Sequence, residues 1–252
     1  KMPPYDVFYD AVGTDKLYWA SGNSGYAIAA ALMSPPISSA SDYPTYQADE
    51  GQSGKCAALT TRVTGKYGAM LGSPIAAGNL FLGTFAVNLS NTLLSTHFGI
   101  PFTQLPTYLS GYYKYKPGPV YYVKDKSVAD GMREVLGVVD TPSLYGVFYE
   151  TTDEVQYLTG ENVLADDNNL IVATAILPDA EKAPTDEWRP FYIPFTYRDG
   201  AEIDYKKLAA GKYSIAIVFS SSIDGDLFSG APGSTLMVDE VTLGSVNPDE
   251  QK

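Results

Sequence analysis

The chain has one cysteine, one histidine and two tryptophans among its 252 residues, and each scarcity removes a class of chemistry. A single Cys56 permits no intramolecular disulfide, and it reads as a small buried hydrophobe rather than a reactive thiol. His97 is the sole histidine, which excludes His-rich zinc or iron centres and any Ser-His-Asp or Cys-His triad built without it. It lies in Thr96-His97-Phe98-Gly99, beside a proline-containing turn, and is expected in a loop. Basic residues are also in deficit: 17 Lys and Arg face 29 Asp and Glu, for a net charge of −12 and a pI near 4.4. No Lys/Arg cluster offsets that charge, so nucleic acid is excluded as a partner, and an anionic membrane surface is a poor one. No apolar run is long enough to span a bilayer, so no transmembrane segment is expected. The opening Lys1-Met2-Pro3-Pro4 has neither the charged nor the apolar region of a signal peptide, so an exported protein of this kind would carry its leader outside this chain.

What the chain does have is 20 Tyr, 23 Gly and 17 Pro, with only 18% charged residues. Aromatic residues fit a pleated, half-buried surface, and Gly and Pro supply the turns between strands. Apolar and polar residues alternate over 5–9, 57–64, 79–87, 109–116, 144–150, 170–177, 189–198, 212–220 and 236–243. Period two dominates, and about nine strands are enough for two packed sheets. The runs at 79–87 and 170–177 are apolar or small on both faces and are expected to be covered on both sides. Short helical turns are expected at 127–135, capped by Ser127, and at 204–209, stopped by Gly211. Residues 32–44 are rich in Ser and Pro and form a long loop. No linker or internal repeat divides the chain, so residues 1–252 are expected to form a single all-β domain, a two-sheet β-sandwich.

Four stretches of the sequence carry a family resemblance. They are Ala76-Ala77-Gly78-Asn79-Leu80-Phe81-Leu82-Gly83-Thr84-Phe85, Gly99-Ile100-Pro101-Phe102, Gly111-Tyr112-Tyr113-Lys114-Tyr115-Lys116-Pro117-Gly118, and Ser220-Ser221-Ser222 followed by Gly233-Ser234-Thr235-Leu236 and Val238-Asp239-Glu240-Val241. In this order, over residues 19–243, the chain resembles the putative carbohydrate metabolism domain family of surface and secreted proteins from gut commensal Gram-negative bacteria. The resemblance implies a jelly roll of the galactose-binding-like, carbohydrate-binding-module type. It also implies export to the cell surface or periplasm, often as a lipoprotein. It implies no reaction and supplies no catalytic residues.

A sugar site pairs exposed aromatic rings, for the C–H faces of the sugar, with polar side chains for its hydroxyls. If Tyr113, Tyr115, Phe191, Ile193, Phe195 and Tyr197 face the core, alternation turns Tyr112, Lys114, Tyr192, Thr196 and Arg198 outward, with Thr60 and Arg62 as further members. The plainer alternative is a solvated sheet face stabilised by cross-strand pairs at roughly 0.2–1 kcal/mol each. Trp19 and Trp188 stand at strand–loop junctions, where a ring either plugs the sandwich end or stacks on a sugar. The expected partner is an oligo- or polysaccharide, bound without catalysis.

Glycoside hydrolysis is the alternative, and it needs two carboxylates about 5–10 Å apart, one of them with a raised pKa. Glu150, Glu187, Glu202, Asp239 and Glu240 lie near strands without a spacing that nominates a pair. Asp239 alternates with Met237, Val241 and Leu243, which places a carboxylate on an apolar face where it needs a partner. Calcium is the one cofactor the sequence offers, through hard oxygen ligands at Asp166-Asp167-Asn168-Asn169 and Asp224-Gly225-Asp226; neither stretch has EF-hand spacing, and both also read as solvated turns. A third class, an adhesive module that binds protein, would show an exposed apolar patch and a long unpaired edge strand.

Overall fold

The computed structural model describes residues 4–9 and 19–248. Two antiparallel sheets face each other. The larger has eight strands: β1 (Trp19–Ala20), β6 (Asn79–Phe85), β16 (Tyr213–Ser220), β12 (Ser143–Glu150), β13 (Ile171–Ile176) and β15 (Thr196–Tyr197) in that spatial order, with β7 (Thr96–Phe98) on β6 and β8 (Ile100–Pro101) on β16. The smaller has five, in the order β14 (Thr185–Pro194), β9 (Leu105–Lys116), β17 (Thr235–Val246), β3 (Cys56–Thr60) and β2 (Thr45–Ala48). Two short ribbons, β4 (Arg62–Val63) with β5 (Ile75–Ala76) and β10 (Tyr121–Lys124) with β11 (Met132–Val135), lie outside these sheets. The architecture is the all-β sandwich of jelly-roll kind that the alternation and the family motifs imply.

The core follows from period two. Leu109, Tyr113 and Tyr115 of β9, Phe191 and Ile193 of β14, and Leu236 and Val238 of β17 meet Leu80, Leu144, Phe148, Ile215 and Phe219 of the larger sheet. Burying side chains of this size contributes roughly 1.5–3 kcal/mol apiece. The larger sheet is covered on its other face too, where Phe81, Val147, Tyr149 and Val218 pack with Phe98, Leu158 and Val163. That second layer is why β6 and β13 read as apolar on both sides.

Several local expectations are corrected. Residues 5–9 pair with no strand; Tyr5 instead packs edge-on against Tyr43 at 5.3 Å, and Asp6 accepts the Gln47 N–H at 2.8 Å. The run 189–198 is two strands in different sheets. Pro190 and Pro194 are tolerated because β14 is an edge strand, and beyond Phe195 the chain crosses to pair with β13. The helix expected at 127–135 is the hairpin β10–β11: Asp125 accepts from Ser127 N and Oγ at 2.9 and 2.6 Å, and Gly131 closes the turn at φ +69°. His97 lies in β7 rather than in a loop, its ring stacked on Tyr157 at 3.9 Å. In β17, Asp239 does not share a face with Val241 and Leu243. A bulge between Asp239 and Thr242, with Glu240 at φ +51°, shifts the phase, so Val241 and Leu243 pack toward the core while Asp239 stays on the opposite side.

Helices α1 (Asn23–Ala29) and α2 (Gly65–Met70) were not expected, whereas α3 (Tyr205–Ala209) was. Asp204 caps α3 by accepting from Lys206 N and Lys207 N, and Gly211 follows it at φ +70°. Residues 32–44 are irregular apart from a single 3₁₀ turn at Ala40–Asp42.

Candidate functional site

The outward side of the five-stranded sheet collects the aromatic residues the core leaves out. Because Leu109, Gly111, Tyr113 and Tyr115 face inward, Tyr108, Ser110, Tyr112 and Lys114 of β9 face solvent. The register sets Tyr192 of β14 opposite Ser110, and sets Tyr112 between Pro190 of β14 and Asp239 of β17. Met237 lies between Lys114 and Ala58, and Tyr46 lies opposite Ala58. The rings are organised: Tyr108 and Tyr192 stack with centroids 4.8 Å apart, and Tyr192 is 65% exposed. The Lys114 ammonium lies 5.3 Å from the Trp188 ring centroid. Trp188 sits in an irregular stretch of β14, where the register with β9 shifts between Thr185 and Arg189. Arg189 pins that stretch by donating to the Tyr113 hydroxyl at 3.3 Å and the Glu181 carbonyl at 3.4 Å.

Tyr112, Lys114, Tyr192 and Trp188 are therefore brought onto one surface. Arg198 is not: it follows β15 in the other sheet, and its guanidinium donates to the Asn168 and Ala165 carbonyls at 2.6 and 3.3 Å. Thr196 pairs with Thr174 in that same sheet. Trp19 packs against the main core, its ring stacked on Phe219 at 6.1 Å. Arg62 is anchored by donating to the Ser41 carbonyl at 2.5 Å and lies 5.9 Å over the Tyr46 ring, while Thr60 is buried and contacts Thr235 Oγ1 at 3.1 Å. Two members of the face were missed. Tyr108 precedes the expected start of its strand by one residue, and Tyr46 belongs to a strand too short to show alternation.

Among the carboxylates, Asp239 accepts from Ser53 N at 2.9 Å and from Glu240 N at 2.8 Å. Glu150 is engaged by the Lys207 ammonium and by the Tyr213 hydroxyl at 3.3 Å, and Glu187, Glu202 and Glu240 are exposed. Asp224 accepts the Tyr121 hydroxyl at 2.5 Å. The Asp226 carboxyl is raised above the ordinary range by desolvation first, with the nearby Asp224 charge adding to it. Asp166 and Asp167 lie exposed in a turn. Calcium takes six to eight oxygens. Among the described residues no group of three or more His, Cys, Asp or Glu side chains converges, so at either turn most ligands would have to come from backbone and water.

A second polar constellation was not foreseen. Asp140, 1% exposed, accepts on one oxygen from Ser222 Oγ at 2.6 Å, Ser234 Oγ at 2.7 Å and Ala231 N at 2.8 Å, and on the other from Thr141 N at 2.9 Å. Burial without a cation pushes this carboxyl upward, against the pull of its four donors. Around it Ser221 Oγ accepts from Gly78 N at 2.9 Å, Tyr115 donates to the Ser221 carbonyl at 3.1 Å, and Gly118 N donates to Ser234 Oγ at 2.9 Å. Residues from three of the four motif stretches thus meet at a sealed knot. At this knot those motifs encode architecture, while the third stretch also supplies Tyr112 and Lys114 to the aromatic face and the fourth supplies Asp239.

A family model described as "putative carbohydrate metabolism domain" matches residues 1–244. The chain belongs to the putative carbohydrate metabolism domain family. Two solved structures resemble it over nearly its whole length. One, described as a putative glycoside hydrolase from Bacteroides thetaiotaomicron, is 44% identical with a TM-score of 0.86, over 96% of this chain and 67% of that one. The other, described in the same words and from Bacteroides vulgatus, is 39% identical with a TM-score of 0.83, over 94% of this chain and 89% of that one. No curated protein matches the chain. Membership in the putative carbohydrate metabolism domain family ties this chain to carbohydrate.

Proposed function

We propose that this chain binds carbohydrate without cleaving it, through the solvent face of its five-stranded sheet. The observation that carries the reading is the run of Trp188, Lys114, Tyr112, Tyr192 and Tyr108 across adjacent strands β14 and β9. Rings on adjacent strands offer stacking surfaces, Tyr108, Tyr112 and Tyr192 in register and Trp188 held beside Lys114, with Lys114, Ser110 and Asp239 beside them for hydroxyl groups. A face of this kind suits an extended polysaccharide better than a free monosaccharide, because the rings are spread along β14 and β9 rather than gathered in a pocket. We place this activity outside the cytoplasm, at the cell surface or in the periplasm of a Gram-negative bacterium, as the resemblance implies.

Affinity electrophoresis in gels containing neutral plant, host and microbial polysaccharides tests the reading. At least one polysaccharide should retard the folded protein, and the double variant Trp188→Ala, Tyr192→Ala should lose that retardation. If no polysaccharide retards the folded protein, the reading fails.

Hydrolysis is the second reading, favoured by how both Bacteroides relatives are described and by the neighbouring Asp224 and Asp226, of which Asp226 is raised. Acid–base cleavage uses a pair of carboxyls, one of them raised. Release of reducing sugar that is abolished by Asp226→Asn would promote this reading over binding.

A further inference from the structure

The structure has a concave feature apart from the aromatic face. Helix α2 and the turn between β10 and β11 enclose a cleft of about 480 Å³, within the roughly 300–1,000 Å³ common for small-molecule sites. Gly131, at φ +69°, lets the turn press against the helix, since a Cβ there would stand 3.0 Å from the Ala69 side chain. The cleft is lined by Lys66 and Lys126 together with Met70, Leu71 and Val128. Met70 is 75% exposed and Leu71 is also exposed, so the cleft presents apolar surface beside its lysines.

Three lysines gather here. Lys66 and Lys126 line the cleft, Lys124 lies beside it, and, like most of the described cations, none of the three makes an ion pair among the described residues. Lys124 lies beside the cleft-lining Gly72, its ammonium 3.5 Å from where a Cβ on Gly72 would be and 4.8 Å from the Phe228 ring centroid. Its pKa is lowered, by burial first and then by the like charge of Lys126. Of the acids nearby, Asp125 is taken by Arg133 at 3.1 Å and by Ser127, and Asp130 is exposed beside Gly131. Cations gathered with apolar surface and left unneutralised lower their mutual repulsion when an anion enters.

We propose that this cleft is a subsite for an acidic sugar unit, one bearing a carboxylate or a sulfate. Lys66 and Lys126 meet the anionic group, Lys124 adds long-range attraction, and Met70, Leu71 and Val128 cover the C–H face of the ring. The sugar part rests on the family's tie to carbohydrate; the anionic part rests on the lysines alone. The site is separate from the aromatic face and does not need that face to bind anything.

Polygalacturonate supplies the carboxylate and chondroitin sulfate the sulfate, with a neutral glucan and phosphatidylserine vesicles as comparators. The folded protein should bind one of the two acidic glycans, more weakly as salt is raised. Lys66→Gln with Lys126→Gln should weaken that binding by about tenfold or more, as loss of two charge-assisted contacts would, while leaving the melting temperature unchanged. Trp188→Ala should spare it. The proposal is overturned if neither acidic glycan binds, if the double lysine variant binds as the parent does, or if only the vesicles bind. Loss of acidic-glycan binding in Trp188→Ala but not in the lysine variant would also overturn it, and would leave the aromatic-face reading standing.

Discussion

The Lys114 ammonium lies 5.3 Å from the Trp188 ring centroid, joining β9 to the irregular stretch of edge strand β14 on the solvent side of the smaller sheet. An exposed cation–π contact contributes only about 0.5–1 kcal/mol to stability. Its interest lies in positioning: the ammonium holds the indole in place and remains free to donate to a ligand. Lys114→Ala should therefore shift a urea midpoint only slightly while weakening polysaccharide binding by about tenfold, the equivalent of 1.4 kcal/mol. Equal binding by variant and parent in calorimetric titration would remove Lys114 from the site.

The face was legible in part, and the reason is phase. Tyr112, Lys114 and Tyr192 are correctly turned outward because each alternates with residues too apolar to face water, among them Tyr113, Tyr115, Phe191 and Ile193. Carrying the same phase through Pro194 and Phe195 misplaced Arg198. The alternation continues there, but the chain leaves one sheet for the other, and alternation carries no record of which sheet a strand joins. The bulge at Glu240 misled in the opposite way, since one extra residue reverses the face of everything before it. Helices α1 and α2 were hidden because at seven and six residues they are too short to display a helical period. The knot at Asp140 could not be read locally at all, because its partners Ser222 and Ser234 lie 82 and 94 residues away.

That knot should dominate stability at its end of the sandwich. Asp140→Ala leaves the buried Ala231 N–H without an acceptor and strands two serine hydroxyls. Orphaned buried donors cost about 1–3 kcal/mol each, and hydroxyls can rotate toward other acceptors, so a net loss of about 3 kcal/mol is expected in chemical denaturation. A loss below about 1 kcal/mol would mean the loops hold without the carboxylate. Because the folded carboxyl keeps its proton to higher pH than the unfolded one, its ionisation subtracts stability as pH rises through the range above 3.8. The stability gap between parent and Asp140→Asn should accordingly be wider at pH 4 than at pH 7.

Asp42 shows the opposite sign. Its Oδ2 accepts from Ser38 N and Oγ, each at 2.8 Å, and from Ser39 N at 3.0 Å. These donors, the Ser38 backbone N–H foremost, draw the carboxyl down to about 2. A depressed folded value means its contribution is present above the unfolded value of 3.8 and is lost as pH falls toward 2. Carboxyl carbon titration by NMR should find Asp42 still ionised at pH 3, and Ser38→Ala should move its midpoint upward. A midpoint near 4 in the parent would show that the Ser38 and Ser39 donors do not hold the loop in solution.

Cys56 tests the packing beside the proposed binding face, on the outward side of β3 next to Asp239. It is 5% exposed at the start of β3, and its thiol is pushed up to about 11, by burial first and then by the charges of Asp239 and Glu50. At pH 8 only about one thiol in a thousand is then a thiolate, and the thiolate is the species that alkylates. Iodoacetamide should leave the native protein unmodified over hours and label it fully once urea has unfolded it. Asp239→Asn removes the larger of the two negative charges, so a slow native reaction should become faster in that variant, by less than the increase that unfolding produces. Rapid labelling of the native parent would mean that the strands β3 and β17 open at this position, and the sheet could not then hold Asp239 and Tyr112 in the register on which the binding face depends.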